Sequence, residues 1–414
     1  MAEQDAIFPT GLGVEEARAH IAAIAGARKL STETVALSAA SGRILATDVV
    51  AAFDVPGFAN SAMDGFALRA ADLPPVGEKC LALIGEVFAG GHAVAKVEKD
   101  TCVRITTGAA LPEGADTVVM KENTRIENDR VIVVGGARLG ANVRPAGEDY
   151  RAGETALTRG RRLGPAQLGV LASLGMTDVS VVRNPRAVLL TTGDELVAPG
   201  EHLGFGQIHD SNRYSLGGLL ESLGVELLRH ERVRDDPVAL RDVLLRAAGD
   251  ADLIVSSGGV SAGEADFLPL LVAEIGKVHF WKVRIKPGMP FLFGQIGHAL
   301  LFALPGNPVS GFATCLTLMK PAIHAMSAAT DVSAPLRARL RNSIDKRHAR
   351  AELQRARLEC DAQAMLWATS HAKQGSGMLR GVAEADALIV LPEGERCFAA
   401  GELVDVLPLP GWPE

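Results

Sequence analysis

Aromatic residues are scarce in this 414-residue chain, at 4% of the total, so any core must be built from Leu, Val, Ile and Ala. Hydrophobic residues at 48% supply ample material for that. Cysteine is also rare. Cys80, Cys102, Cys315, Cys360 and Cys397 are odd in number, widely spaced and free of any Cys-x-x-Cys or Cys/His zinc spacing. That pattern speaks against a disulfide framework and fits reduced thiols in a cytoplasmic protein. No apolar run is long enough to cross a bilayer, so no membrane span is expected. The start, Met1-Ala2-Glu3-Gln4-Asp5, is acidic and does not read as a secretion signal. A formal charge of −7 argues against a general nucleic-acid binder, though not against a local basic patch. The P-loop pattern, a G-x-G-x-x-G after a strand and H-E-x-x-H are all missing, which leaves hydride transfer without motif support. One G-x-S-x-G is present, Gly259 to Gly263. Its Ser261 lies well past the preceding apolar run, whereas a nucleophile elbow needs the serine on the sharp turn directly after the strand.

What is present is organised in blocks. The length predicts two to four domains. Apolar residues at helical spacing predict a helix from Val14 to Gly26. The residues from about Cys80 to Val134 read as short β-runs between Gly/Pro turns, a small β domain. From Pro185 to about Ala328 strands and helices alternate, as in a doubly wound α/β domain. Short strands return from about Val332 to the end. There Arg337, Arg339, Arg341, Lys346, Arg347 and Arg350 read as a solvated strand or hairpin face.

The segment richest in chemistry is Ala251 to Asp266. A buried parallel strand is expected to end in Ser256-Ser257-Gly258-Gly259, followed by Ser261, Glu264 and Asp266. Glycines let the main chain approach a ligand, and loops at the carboxyl ends of parallel strands are where open α/β sheets bind oxyanions. Lys282, Arg284 and Lys286 alternate with Val283 and Ile285, so three cations are predicted on one strand face, as an anion site or as a guarded sheet edge. Leu304-Pro305-Gly306-Asn307-Pro308 ends a strand and opens a helix. It reads as a capped helix start, Asn307 at the cap and Pro308 at N1, or as N–H groups facing a ligand. Asp210 or Ser211 is expected to cap a further helix. Asp194, Glu195, Asp210, Glu264 and Asp266 are five carboxylates near strand ends, and spacing does not say which would hold a hard cation such as Mg²⁺. Asp64 and Asp149 lie in Gly-flanked loops outside this domain, where turn chemistry is the plain reading.

Taken in order, Ser61-Ala62-Met63-Asp64-Gly65-Phe66-Ala67, Arg104 to Ala109, Gly147-Glu148-Asp149, Thr192 to Leu196, Asp210 to Arg213, Ser256 to Asp266, Lys286-Pro287-Gly288 and Leu304 to Ser310 resemble the molybdopterin molybdenumtransferase family. Gln374-Gly375-Ser376 is similar to a weaker motif of its C-terminal domain. The resemblance implies a multidomain α/β plus β chain. It would comprise an α+β dimerisation region (1–48 and 145–182), a small β domain (49–144), a three-layer α/β molybdopterin-binding domain (183–328) and a C-terminal barrel-like β domain (329–414). It implies insertion of molybdate into adenylylated molybdopterin with Mg²⁺ and release of AMP. The implied assembly is a homodimer whose cleft is shared between subunits, working with the molybdopterin adenylyltransferase and cofactor-accepting enzymes. The implied catalytic residues are Asp64, Thr107, Asp149, Glu195, Asp266, Lys282 and Lys286, with Glu195 and Asp266 as metal ligands. Asp210, Ser257, Gly258, Gly259, Ser261, Pro305, Gly306, Asn307 and Pro308 would bind the pterin nucleotide.

Four positions depart from the commoner family pattern: Phe66, Lys121, Arg284 and Met289. Arg284 is expected either to compensate for Met289 or to accompany an altered molybdate affinity. Two other activities compete with the transferase reading. One is adenylylation of molybdopterin, which an α/β domain alone would resemble. The other is a pterin-binding scaffold without turnover.

Overall fold

A computed structural model describes residues 8–91, 95–260, 267–330 and 336–412. Its centre is a seven-stranded sheet in the order Thr10–Leu12, Lys277–Val283, Leu292–Ile296, Ala299–Leu304, Leu253–Ser257, Arg186–Thr192, Glu226–Val233. All strands run parallel except Leu292–Ile296, which is antiparallel to both neighbours. Side chains alternate faces along each strand. Leu189, Val255 and Phe302 therefore face one core layer, while Val188, Ile254 and Leu301 face the other. Helices cover both faces, the three-layer arrangement that the strand–helix alternation predicts.

The predicted helix Val14–Gly26 forms with those bounds. Its buried stripe of Ala17, Ile21 and Ala25 packs in the same core layer as Ile323 and Met326. Thr10–Leu12 adds an edge strand beside Lys277–Val283. Residues 10–26 thus lie on the α/β body and not, as grouped above, with the α+β region. An isolated amphipathic helix of this length is marginal, and the apolar surface available to it is that of the α/β layer. The α+β region proper has a three-stranded sheet, Thr32–Ala36, Asp178–Val182 and Ile44–Leu45, with its own core around Leu163, Leu171 and Val181.

The small β unit is a six-stranded sheet from Gly65 to Val134 with apolar clusters on both faces. At the C-terminal end, Ala351–Cys360, Leu366–Ser370, Leu336–Leu340, Leu403–Pro408 and Ala387–Leu391 follow one another, and the last pairs back to the first. This closes a five-stranded barrel. The barrel is also fused to the α/β body, because Leu353, Val382 and Leu388 share the core layer that holds Leu189 and Phe302.

Two predicted elements change form. The helix expected to open at Pro308 is Pro308–Thr314, a π-turn at Cys315–Met319, then Lys320–Met326. Pro321 has no N–H to continue the ladder, a common cause of a register change in a helix. The basic run of the barrel is not wholly solvated. Lys346 is buried, donating to the carbonyls of His348 and Gly394, and burial pushes its pKa down.

Candidate active site

At the carboxyl ends of the parallel strands lies a cavity of about 430 Å³. Its walls are the loops after four strands: Thr191 to Glu195, Asp235, Ser257 to Val260, and Pro305 to Pro308. Two helices begin at its rim, at Asn212 and at Pro308. Their positive dipole ends favour an anionic ligand.

The Ser-Ser-Gly-Gly loop is built for close approach. Gly258 has φ +102°, and a Cβ there would sit 2.6 Å from Thr192 Oγ1 and 2.7 Å from the Thr192 carbonyl oxygen. No side chain fits, so the loop backbone lies directly against the first strand end. Ser257 is buried and its Oγ accepts a bond from Asn212 Nδ2 at 2.8 Å; the same amide donates to Gly306 O at 2.7 Å. Asn212 therefore ties three cavity loops together. Its Oδ1 and the Oγ1 of Thr192 are buried without a hydrogen-bond partner. Unsatisfied buried polar atoms are costly, and those lining a cavity mark where a ligand or water completes the set.

Asp210, 3% exposed, is held on both oxygens. Oδ2 accepts from Thr191 Oγ1 at 2.6 Å and Oδ1 accepts from the Arg213 N–H at 3.0 Å. Of the two expected caps, Ser211 occupies the cap position with no side-chain bond, and the Asp210 carboxylate satisfies the helix N–H. His230 Nε2 lies 2.9 Å from Thr191 Oγ1, and burial lowers its pKa. Asn307 sits at the cap position of its helix but does not cap it. Its Nδ2 reaches Ser376 Oγ at 3.2 Å, while the Ser376 carbonyl accepts the Val309 N–H at 3.1 Å. The Gln374-Gly375-Ser376 segment of the barrel thus completes a helix start at the cavity. Glu195 is exposed on the wall, its carboxylate folded over Gly193 so that a Cβ there would meet it at 2.7 Å.

Asp235 and Asp236 follow the strand Glu226–Val233 as a doubled carboxylate before a helix. Asp236 takes the cap, accepting from Val238 and Ala239 N–H, and Asp235 lines the cavity. The doubled Asp after a strand was the available signal, since one carboxylate suffices for a cap.

The predicted cation face does not form as drawn. Lys282 has φ +62°, a left-handed conformation that breaks strand alternation, and its Nζ lies 4.2 Å from the Trp281 ring centroid. Arg284 lies in a bend, paired with Glu393 at 2.9 Å and donating to the Gly11 carbonyl. It joins the N-terminal strand to the barrel, and Met289 lies 3.8 Å from Arg350 Nη1 through its sulfur. Lys286 pairs with Glu352 at 3.0 Å. Neither Lys282 nor Lys286 lines the cavity.

Asp64 and Thr107 come together in the small β unit. The Thr107 N–H and hydroxyl both donate to Asp64 Oδ1, at 2.8 and 2.9 Å, and hold its pKa below the usual carboxylate range. Lys121 Nζ stands 3.8 Å from the other oxygen, giving the unusual lysine a partner. Phe66 is buried in this unit's core. Asp149 is exposed, with its N–H bonded to Val55 O at 2.9 Å. Asp64, Thr107 and Asp149 do not line this chain's cavity. Ser261, Glu264 and Asp266 lie outside the described residues.

A cavity at the strand ends of a three-layer α/β body, joined to two β units and an α+β region, defines a multidomain α/β protein whose strand-end loops are placed as ligand-binding loops are in open α/β sheets. Comparison with known proteins is more specific. Residues 12–175 match the MoeA N-terminal region (domain I and II), 188–325 a probable molybdopterin binding domain, and 337–409 the MoeA C-terminal region (domain IV). A molybdopterin molybdenumtransferase of Haemophilus influenzae is 36% identical over 380 residues, 91% of this chain and 94% of that protein. One from a Nostoc species is 35% identical over 401 residues, 92% and 89% of the two chains. The crystal structure of a molybdopterin biosynthesis moeA protein from Pyrococcus horikoshii matches with TM-score 0.84 and 29% identity over 97% of this chain and 100% of that one. The chain belongs to the molybdopterin molybdenumtransferase family.

Proposed function

We propose that this chain performs the molybdenum-insertion step of molybdenum cofactor biosynthesis. Molybdate enters the dithiolene of adenylylated molybdopterin, and AMP and the molybdenum cofactor leave. The observation that carries this reading is the cavity itself. It offers a close-approach glycine loop, two helix starts and two buried, unpartnered polar atoms, Thr192 Oγ1 and Asn212 Oδ1. These are groups suited to phosphate and pterin polar edges.

Among the described residues no group of three His, Cys, Asp or Glu could hold a metal ion. The cavity does present Glu195, Asp235 and the Thr192 hydroxyl. That hard-oxygen set fits Mg²⁺, which takes one or two carboxylates and completes its shell with water and substrate phosphate. When bound, Mg²⁺ supplies charge neutralisation at the phosphoanhydride. Glu195 is the ligand we assign first, with Asp266 as its expected companion. Within the cavity, Gly258 and Gly259 bring N–H groups to the substrate, and Asn212 fixes the relative position of three loops. Lys282 and Lys286 supply positive charge beyond the cavity for the dianionic metal substrate.

Asp64, Thr107 and Asp149 act, in this reading, on the cavity of a second copy in a homodimer. Its working surroundings are the cytoplasm, with an adenylyltransferase upstream and cofactor-accepting enzymes downstream. The test is purified protein with molybdate, Mg²⁺ and adenylylated molybdopterin. Molybdate-dependent AMP release and active cofactor are expected; AMP release that ignores molybdate, or none at all, overturns the proposal.

A further inference from the structure

Lys286 reaches out of the α/β body to a carboxylate that belongs to the barrel. The short strand Ile285–Lys286 pairs in parallel with the start of Ala351–Cys360, Ile285 opposite Ala351 and Lys286 opposite Glu352. The Arg284 carbonyl accepts the Ala351 N–H at 2.9 Å, which fixes this register. Glu352 is 5% exposed, yet each of its carboxylate oxygens has a partner. Oε1 lies 3.0 Å from Lys286 Nζ, and Oε2 accepts from His348 Nε2 at 3.1 Å. The buried Lys346 ammonium donates to the His348 carbonyl at 2.6 Å and fixes the main chain there, while the His348 Nδ1 is buried without a partner, so Glu352 is the hydrogen-bond partner of the ring. The Lys286 side chain remains 43% exposed, so its amine stands at the boundary between this buried cluster and solvent.

A buried carboxylate is costly unless paired, and a cluster that satisfies both oxygens is a rigid one. A lysine is a point charge on a flexible four-carbon stem, and needs an external constraint to sit in one place. We infer that Glu352, oriented by His348, is a positioning residue that holds the Lys286 ammonium for the transferase reaction. This rests on the reading that Lys286 is a functional cation of that reaction. The barrel then contributes to the reaction by aiming a charge that the α/β body carries.

The test combines two readouts on the full-length protein. In the first, the rate at which acetic anhydride modifies Lys286 is followed by peptide mass spectrometry. Glu352→Gln is expected to raise that rate several-fold, with other lysines unchanged; an unchanged Lys286 rate overturns the inference. The second is a double-mutant cycle on kcat/KM for molybdate-dependent AMP release, with Glu352→Gln and Lys286→Met. Glu352→Gln is expected to cost about tenfold in the wild-type background, a typical loss for an outer-shell partner, and nothing further once Lys286 is gone. An equal loss in both backgrounds shows that Glu352 supports only the barrel, and overturns it. If wild-type protein releases no AMP while labelling still responds to Glu352→Gln, the transferase reading fails and the positioning of Lys286 stands.

Discussion

The cavity of the α/β body and the Asp64 pair of the small β unit were implied as parts of one site, and they are built in opposite ways. Around the cavity, Asp210 and Asn212 are buried and wired into loops from three strands. Asp64 and Thr107 form an exposed pair within a single sheet unit. The first arrangement lines a cavity with loops of one chain. The second is a prepared carboxylate outside that cavity. The difference teaches that the small β unit presents its carboxylate outward, as a contribution to a neighbouring copy would require.

The sharpest way to break that comparison is complementation. Asp64→Asn and Glu195→Gln are each expected to lower kcat on the order of 100-fold, the usual scale for removing one pre-aimed charge at a reacting centre. Co-expressed and co-purified, the two variants should regain activity if the proposed homodimer shares its clefts, because a mixed dimer would then contain one cleft with both residues intact. Mixed protein as inactive as either parent would place the two carboxylates in separate tasks.

A smaller effect tests the wired side alone. Gly258→Ala puts a methyl group 2.6 Å from Thr192 Oγ1 at φ +102°. Strain of this kind costs about 1–3 kcal/mol. The urea midpoint should fall accordingly, and AMP affinity, read by calorimetry, should fall with it. An unchanged midpoint would mean that the loop has room the geometry denies.

These contrasts also explain what was legible in the sequence. Period and punctuation located the helix at Val14–Gly26 with its bounds, and the strands that end at Ser257 and Leu304. Buried strands are apolar runs, and nothing in their surroundings had to be known. The cation face failed because alternation assumes an unbroken strand, whereas Lys282 is left-handed, with its N–H bonded to the Phe291 carbonyl at 2.8 Å and its ammonium over the Trp281 ring, contacts that spacing does not encode. Asp235 on the cavity wall was not legible because a cap and a site residue have the same type, and the sequence does not say that Asp236 takes the cap. The barrel's share of the site, Ser376 at the helix start and Glu352 at Lys286, depends on contacts between residues 66 to 69 positions apart in the chain. No local pattern carries such a contact.

Next in size is a pH effect of half-buried imidazoles. His230, His279, His324 and His371 all have pKa values below the ordinary 6.5, each with burial as the largest cause. The unfolded chain takes up these protons near pH 6.5 while the folded chain resists. Stability therefore rises with pH through the window below 6.5, is complete above it, and is lost as pH falls. Urea midpoints should drop between pH 7.5 and 5.5, and His230→Gln should flatten part of that drop. A flat wild-type profile would show that these sites open to water.

The smallest expected change belongs to the exposed pair. Two Thr107 donors stabilise the charged form of Asp64, so the Asp64 carboxylate titrates below its ordinary range. Thr107→Val removes the hydroxyl and leaves the N–H. With one donor lost the charged form is less favoured, and the acid limb of the AMP-release profile should move to higher pH, with little change near neutrality where Asp64 stays ionised either way. Because Asp64 is exposed, the same substitution should leave the urea midpoint almost untouched. If activity falls equally at every pH, the hydroxyl contacts the substrate directly, and the pair is a binding element of the neighbouring cleft instead of a tuned carboxylate.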